Sequence, residues 1–311
     1  MKLCTKICIW LGALLLAAGV VLFVCGMAAK NWDFGTLSTL AYEQKEFSAQ
    51  DEITEVRIDF KVSEIRVVQS KDVQTLTCSY PIAKDLTTGK SAEVNISEEN
   101  GVLSIAEKSL SFSLFQWNAG SPALVLTLPQ NVDGLAVYTD VGDIELEGLT
   151  GGKVQAETDV GDILCRNVQA AEISLLTNLG NVTAENCTVE GTFTIGTDTG
   201  DIRLKDLSAE CADVSANLGD ITLQGALTAK EVRFETDSGD IDLAEGKTDA
   251  ETLSFSTSLG DISATLTGAR EDYAADVEWD LGDTNLYPST GGTRTLIIRS
   301  SCGDIEIGFT K

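Results

Sequence analysis

The residues of this 311-residue chain with the most regular chemical spacing are aspartates set in pairs around a glycine. "TDVGDI" at 139–144 returns at 158–163, then as "TDTGDI" at 197–202, "NLGDI" at 217–221 and "TDSGDI" at 236–241. A row of carboxylates has two chemical uses. It can collect a hard cation, calcium above all, or supply the acid and base of a hydrolase, which needs a localised pair rather than a row. A third use is structural: glycine admits a positive φ, and Asp or Asn closes a tight corner by bonding nearby backbone amides. The position after the glycine holds Asp143, Asp162, Asp201, Asp220, Asp240 and Asp261, the calcium candidates, followed by Asp283 and Asp304. Asn181 interrupts this row, and Asn178 and Asn217 interrupt the row two residues before the glycine. Asparagine serves a turn as well as aspartate does but weakens a cation site. The pattern therefore favours turn chemistry with weak calcium binding at most, and no catalytic residue, structural metal or cofactor is assigned.

Composition narrows the chemistry further. The chain has 48 acidic and 22 basic residues, a net charge of −26, and no histidine. A nucleic-acid partner is excluded, because such a protein presents a basic stripe. The commonest general base and zinc ligand is missing. Of the 8 cysteines, Cys4, Cys8 and Cys25 lie near the amino terminus, leaving Cys78, Cys165, Cys187, Cys211 and Cys302. An odd number without a CxxC pair does not read as a disulfide framework. Cys165 and Cys187 are expected as small core residues.

The elements that must hold the aspartates follow from their spacing. The glycines fall at Gly142, Gly161, Gly180, Gly200, Gly219, Gly239, Gly260, Gly282 and Gly303, about 20 residues apart throughout. Self-similarity at that period means stacked coils. Seven and five residues before the glycine lie apolar pairs such as Val154 and Ala156, or Phe193 and Ile195. Two and four after it lie others such as Ile163 and Cys165, or Ile221 and Leu223. Each pair is a period-two strand with one row pointing inward. Three before the glycine stands threonine, as in Thr139, Thr158, Thr177, Thr197, Thr236 and Thr257. The fold class is all-β: a parallel β-solenoid of about 20-residue coils, each coil stacked on the last, behind an irregular β lead-in.

The first thirty residues are a separate object. From Ile7 to Ala29 there is no charge, and at about 1.5 Å per helical residue this stretch is long enough to cross a bilayer. Lys2 and Lys6 place the short end in the cytoplasm by the positive-inside rule. Three basic residues and no acidic ones lie in residues 1–30, so the remainder carries 19 basic against 48 acidic residues, net −29. The expected division is a cytoplasmic tail (1–6), an uncleaved transmembrane anchor (7–29), with a signal peptide cleaved near the small residues Gly26 and Ala28 as the alternative, a tether (30–50), an N-terminal β region and cap (51–130) and the repeat solenoid (131–311). Phe112, Phe115 and Trp117 form an aromatic cluster before the regular coils. They are expected to cover the solenoid's open end or to form a contact loop.

The anchor, the β lead-in, "LTLP" at 126–129 and the serial T-D-x-G-D-I coils resemble the DUF4097-type family of bacterial "putative adhesin" proteins, including the membrane-anchored member of the Lia envelope-stress operon. The resemblance covers roughly residues 52–311. It departs at "KVSEI" (61–65), which lacks the glycine, and at Thr284, where isoleucine is usual. It implies a β-solenoid ectodomain on a bacterial cell membrane, single-pass, with the amino terminus inside and the ectodomain outside. The expected function is non-catalytic display for adhesion or envelope assembly, with an envelope protein or glycan as partner. The alternatives are a regulatory accessory of an envelope-stress response and a carbohydrate-active β-helix enzyme.

Overall fold

The computed structural model describes residues 39–108 and 122–310, together with positions 16, 18–22, 24–26 and 28. These last positions are helical, and Leu16, Val20, Val21 and Leu22 are exposed. Among the described residues no helix is long and apolar enough to cross a membrane. The span expected over 7–29 lies largely outside the described residues, and Phe112, Phe115 and Trp117 lie outside them entirely.

The chain enters through β1 (Leu40–Ser48), β2 (Glu55–Val62) and β3 (Ile65–Gln69). An excursion follows through β4 (Thr77–Asp85), β5 (Glu93–Glu99), β6 (Val102–Lys108) and β7 (Leu124–Leu128). Regular winding then alternates two rows of strands. The first row takes β8 (Gly134–Val141), β10 (Thr150–Val160), β12 (Gln169–Leu179), β14 (Thr192–Thr199), β16 (Cys211–Leu218), β18 (Glu231–Ser238) and β20 (Thr252–Leu259). The second takes β9 (Ile144–Glu147), β11 (Ile163–Arg166), β13 (Val182–Val189), β15 (Ile202–Ser208), β17 (Ile221–Thr228), β19 (Ile241–Asp249) and β21 (Ile262–Thr267). The last strands are β22 (Tyr273–Leu281), β23 (Arg294–Cys302) and β24 (Ile305–Thr310).

Pairing within each row is parallel and in register, so that Ala156 lies beside Val137 and Leu175, and Ile163 beside Ile144 and Val182. A shorter third row closes each coil, as where Cys187 pairs with Leu207 and Leu207 with Leu227. Parallel β structure hides one face of every strand, and here the coil wraps that face around a single core. Ile195, Ile202, Leu223, Ile241 and Phe255 have no exposed surface, and the rings of Phe234 and Phe255 stack at 5.9 Å on adjacent rungs.

The stacking order departs from the chain order at both ends. β2 lies between β6 and β8, and β3 between β7 and β9, so the first coil is tucked beneath a later one. At the other end β23 lies between β20 and β22, and β24 pairs with β21. The expected succession Gly260, Gly282, Gly303 is therefore corrected to Gly260, Gly303, Gly282. An interior rung must be apolar toward both neighbours. β23 and β24 meet that need with Leu296, Ile298, Ile305 and Ile307, all buried. The β22 coil has no full second strand, only a bridge from Thr284 to Ile305. It also carries Trp279 at the threonine position, too large to sit between coils. At the end of the stack Trp279 packs edge-on against Tyr287, ring centres 6.0 Å apart.

Both ends are covered by non-repeating elements. β5 runs antiparallel to β6, and β4 antiparallel to β7 and β1. The segment expected to be a tether thus contains β1, whose Phe47 packs on the core. At the far end the Asn285 side chain imitates a strand: its Oδ1 accepts the Ile307 N–H at 2.9 Å and its Nδ2 donates to the Ile307 carbonyl at 3.1 Å.

Candidate functional site

The repeated corner is where every conspicuous sequence feature meets. From Gly142 to Gly260 the corner glycines have φ between 144° and 156°, a region that side chains rarely enter. A Cβ at Gly161, Gly200 or Gly219 would lie 1.9–2.1 Å from the carbonyl oxygen of the corner glycine on the neighbouring coil. Glycine is therefore required twice, by its own dihedral and by the backbone it lies on. The Cα–H directed at that oxygen is a weak hydrogen bond of the kind found between packed backbones.

Most backbone groups at the corner stay in the ladder: Gly161 N–H donates to Leu179 at 2.9 Å, and Ile144 N–H to Asp162 at 2.9 Å. Two do not, and buried main-chain groups need partners. The glycine carbonyl takes the threonine hydroxyl of the next coil: Thr158 donates to Gly142 at 3.0 Å, Thr177 to Gly161 at 2.9 Å and Thr257 to Gly239 at 3.1 Å. The amide of the residue after the glycine donates to the equivalent side chain on the coil before it. Asp162 N–H meets Asp143 Oδ1 at 2.8 Å, Asn181 N–H meets Asp162 Oδ1 at 2.7 Å, and Asp201 N–H meets Asn181 Oδ1 at 2.9 Å. The row continues through Asp220, Asp240, Asp261 and Asp304 to Asp283.

Each aspartate serves not its own corner but the next coil's, 19 to 21 residues along in the regular stack. Asparagine is equivalent because an amide oxygen accepts as a carboxylate does. Adjacent rungs about 4.8 Å apart give a repulsion of about 0.9 kcal/mol per pair in water. A hydrogen bond to a charged acceptor contributes about 1.5 kcal/mol or more, enough to offset that repulsion. Among the described residues no group of three or more His, Cys, Asp or Glu side chains is placed to hold a metal ion.

The row two residues before the glycine manages charge differently. Lys61 starts it, Nζ 3.4 Å from Asp140 Oδ1. Asn178 donates to Asp159 at 3.0 Å and Asn217 to Asp198 at 2.9 Å, so neutral amides separate the carboxylates. Tyr138 packs beneath Lys61; burial first, and the neighbouring Asp140 second, push its phenol up to about 12. Ser63 fills the glycine position of the first coil without strain, because its φ is not positive there; its hydroxyl is shared between the carbonyls of Pro122 at 3.0 Å and Glu64 at 3.1 Å.

A second corner, six residues after the first, escapes the sequence reading. Gly148, Asn167, Asn186, Asp206 and Gly225 occupy it with φ from 51° to 74°, the left-handed region. Its signal is a Gly/Asn/Asp choice at one offset in five successive coils, lost at Glu245 and Leu266 and easily missed beside the louder motif. Cys165 and Cys187 are buried on adjacent coils, Sγ atoms 3.8 Å apart and not bonded. The Cys187 contact and burial push the Cys165 thiol well above its ordinary range.

The "Toastrack DUF4097" family profile matches residues 53–307, the whole stack from β2 to β24. The chain belongs to this family. The solved structures it matches are of low identity and low TM-score. A "putative adhesin" of Bacteroides fragilis is 13% identical, covering 86% of this chain and 97% of its own, with a TM-score of 0.41. A "putative lipid binding protein" of Parabacteroides distasonis is 18% identical, with 87% and 97% covered and a TM-score of 0.42. A "putative cell adhesion protein" of Clostridium sporogenes is 10% identical, with 86% and 100% covered and a TM-score of 0.25. No curated protein matches the chain.

Proposed function

We propose that this Toastrack protein is a non-catalytic, membrane-anchored component of the cell envelope whose solenoid is held outside the membrane as a surface for adhesion or envelope assembly. The observation that carries the reading is the use made of the corner aspartates. The side chains most able to do chemistry are spent, coil after coil, on neighbouring backbone amides. A hydrolytic site needs an acid and a base set apart in environment, whereas these carboxylates are near-equivalent members of one row. The uncharged stretch from Ile7 to Ala29, with Lys2 and Lys6 before it, supports the anchor and the orientation. The partner on this reading is an envelope protein or a glycan.

Crosslinking in intact cells, followed by capture of the full chain and mass spectrometry, tests the role. Envelope proteins or surface glycans recovered with the solenoid are the expected result. Release of oligosaccharides from acidic polysaccharide by the purified chain would overturn it. Protease shaving of cells tests the placement: solenoid peptides should be shed while residues 1–29 stay with the membrane. Recovery of a soluble form beginning near Lys30 would replace the anchor with a cleaved signal.

A further inference from the structure

The residue immediately before each corner glycine points outward, and in this chain it is apolar more often than not. In stacking order the row reads Val62, Val141, Val160, Leu179, Thr199, Leu218, Ser238, Leu259, Cys302, Leu281. Its exposure is high for such side chains: 45% at Val141, 43% at Val160, 51% at Leu179, 54% at Leu218, 57% at Leu259 and 66% at Leu281. Strand alternation alone would turn these residues inward, since the threonine two positions earlier is buried. The step into the corner instead turns them out. Single exposed leucines need no explanation, but a line of them along one edge of the molecule does. Stacking between rungs covers only part of each side chain, leaving a largely apolar row of roughly 43 Å at about 4.8 Å per rung, interrupted at Thr199 and Ser238.

The ridge is bracketed by acid on both sides of the corner. Asp140, Asp159 and Asp198 precede it, and Asp143, Asp162 and Asp201 follow it. We propose that this ridge is a docking surface for a basic amphipathic helix of a protein partner, its apolar stripe on the valines and leucines and its lysines or arginines over the two aspartate rows. The charge pattern selects this occupant. A second copy would bring aspartate rows against aspartate rows, and anionic lipid would meet the same repulsion. A helix presents its apolar stripe about once per 5.4 Å turn, close enough to the rung spacing of about 4.8 Å for three or four successive turns to meet successive rungs. Recognition through an apolar stripe with anchors at i, i+3, i+4 and i+7 is a common mode of helix binding.

The proposal rests on the reading of the solenoid as a display surface and is tested separately from it. The probe is a labelled synthetic helix with a leucine stripe flanked by lysines, beside a peptide of the same composition in scrambled order. Titration against the full chain in detergent should show the striped peptide binding at least tenfold tighter. The triple variant Val160→Ser, Leu179→Ser, Leu218→Ser keeps the charge and should remove that preference. Asp140→Asn, Asp159→Asn and Asp198→Asn together should weaken both peptides and flatten the salt dependence; this second variant reads the proposal should the first not fold. Equal binding of the two peptides, or a striped preference untouched by the triple variant, overturns the ridge. So does self-association, or binding to zwitterionic vesicles, that the triple variant abolishes. Envelope partners captured as well by the triple variant as by the wild type would remove the ridge and leave the display role standing.

Discussion

The two corners of each coil make the same change of direction under different constraints. At the first, the glycine's own dihedral is joined by a limit from outside the segment: the glycine lies against the backbone of the preceding coil, with no room for a Cβ. At the second, the limit is local. A φ near 60° suits glycine, and Asn or Asp also tolerate it, so Gly148, Asn167, Asn186 and Asp206 interchange down the stack. At Gly148 nothing lies within 4 Å of the Cβ position. Stacking and torsion act together at the first corner, whereas at the second torsion acts alone at Gly148 and is joined by a neighbour only at Gly225, where a Cβ would lie 2.1 Å from Asp206 Oδ1.

The comparison breaks most easily at the glycines. Gly200→Ala places a Cβ 2.0 Å from the Gly180 carbonyl and is expected to cost about 3–5 kcal/mol, with Gly148→Asn within about 0.5 kcal/mol of wild type. Denaturant melts of both variants check this, and equal losses would abolish the distinction. Next comes Thr177→Val, which keeps the shape but leaves the Gly161 carbonyl without its hydroxyl partner. About 1–3 kcal/mol should be lost, read from the same melts. The natural counterpart is Ser300, at the threonine position of the Gly303 coil, whose buried hydroxyl has no partner.

Asp220 separates the acceptor role from the charge. Asp220→Ala removes the acceptor for the Asp240 amide along with the repulsion, and should be about 1 kcal/mol less stable than Asp220→Asn. Asp220→Asn keeps the acceptor and relieves repulsion, so it should raise the melting temperature slightly at low salt and leave it unchanged in high salt. Calcium should act in the same small way, with the full chain folded in excess chelator and raised by a degree or two at millimolar metal. Unfolding on chelation, reversed by micromolar calcium, would make the row a metal site.

The smallest effect lies at the end of the ladder, where Glu107 accepts the Lys61 N–H at 2.9 Å and burial pushes its carboxyl above the ordinary range. With the folded-state value above the unfolded one, the ionised carboxylate costs stability at neutral pH. That cost shrinks as pH falls through the folded value and is gone below the unfolded value. Glu107→Gln should therefore be more stable than wild type at pH 7, and the gap should close toward pH 4. A gap that widens on acidification would reverse the assignment.

By itself the sequence determined the coil. Period-two apolar pairs at fixed offsets from a recurring glycine admit one inward register, because a slip of one residue would expose Ile221 or Leu223 and bury their polar neighbours. The turn role of the aspartates was legible for the same local reason: Asn and Asp share an acceptor and exchange at one position. What only the tertiary structure decided is which coil each group serves. The partners of Asp143 and Thr158 lie a full turn away, and nothing in a local pattern distinguishes a bond within a corner from one between corners. The order of the last coils belongs to the same class. Gly282 and Gly303 carry the same motif, and the choice between them fell to the bulk of Trp279 and the missing second strand. Both are tolerable only where a rung has a neighbour on one side.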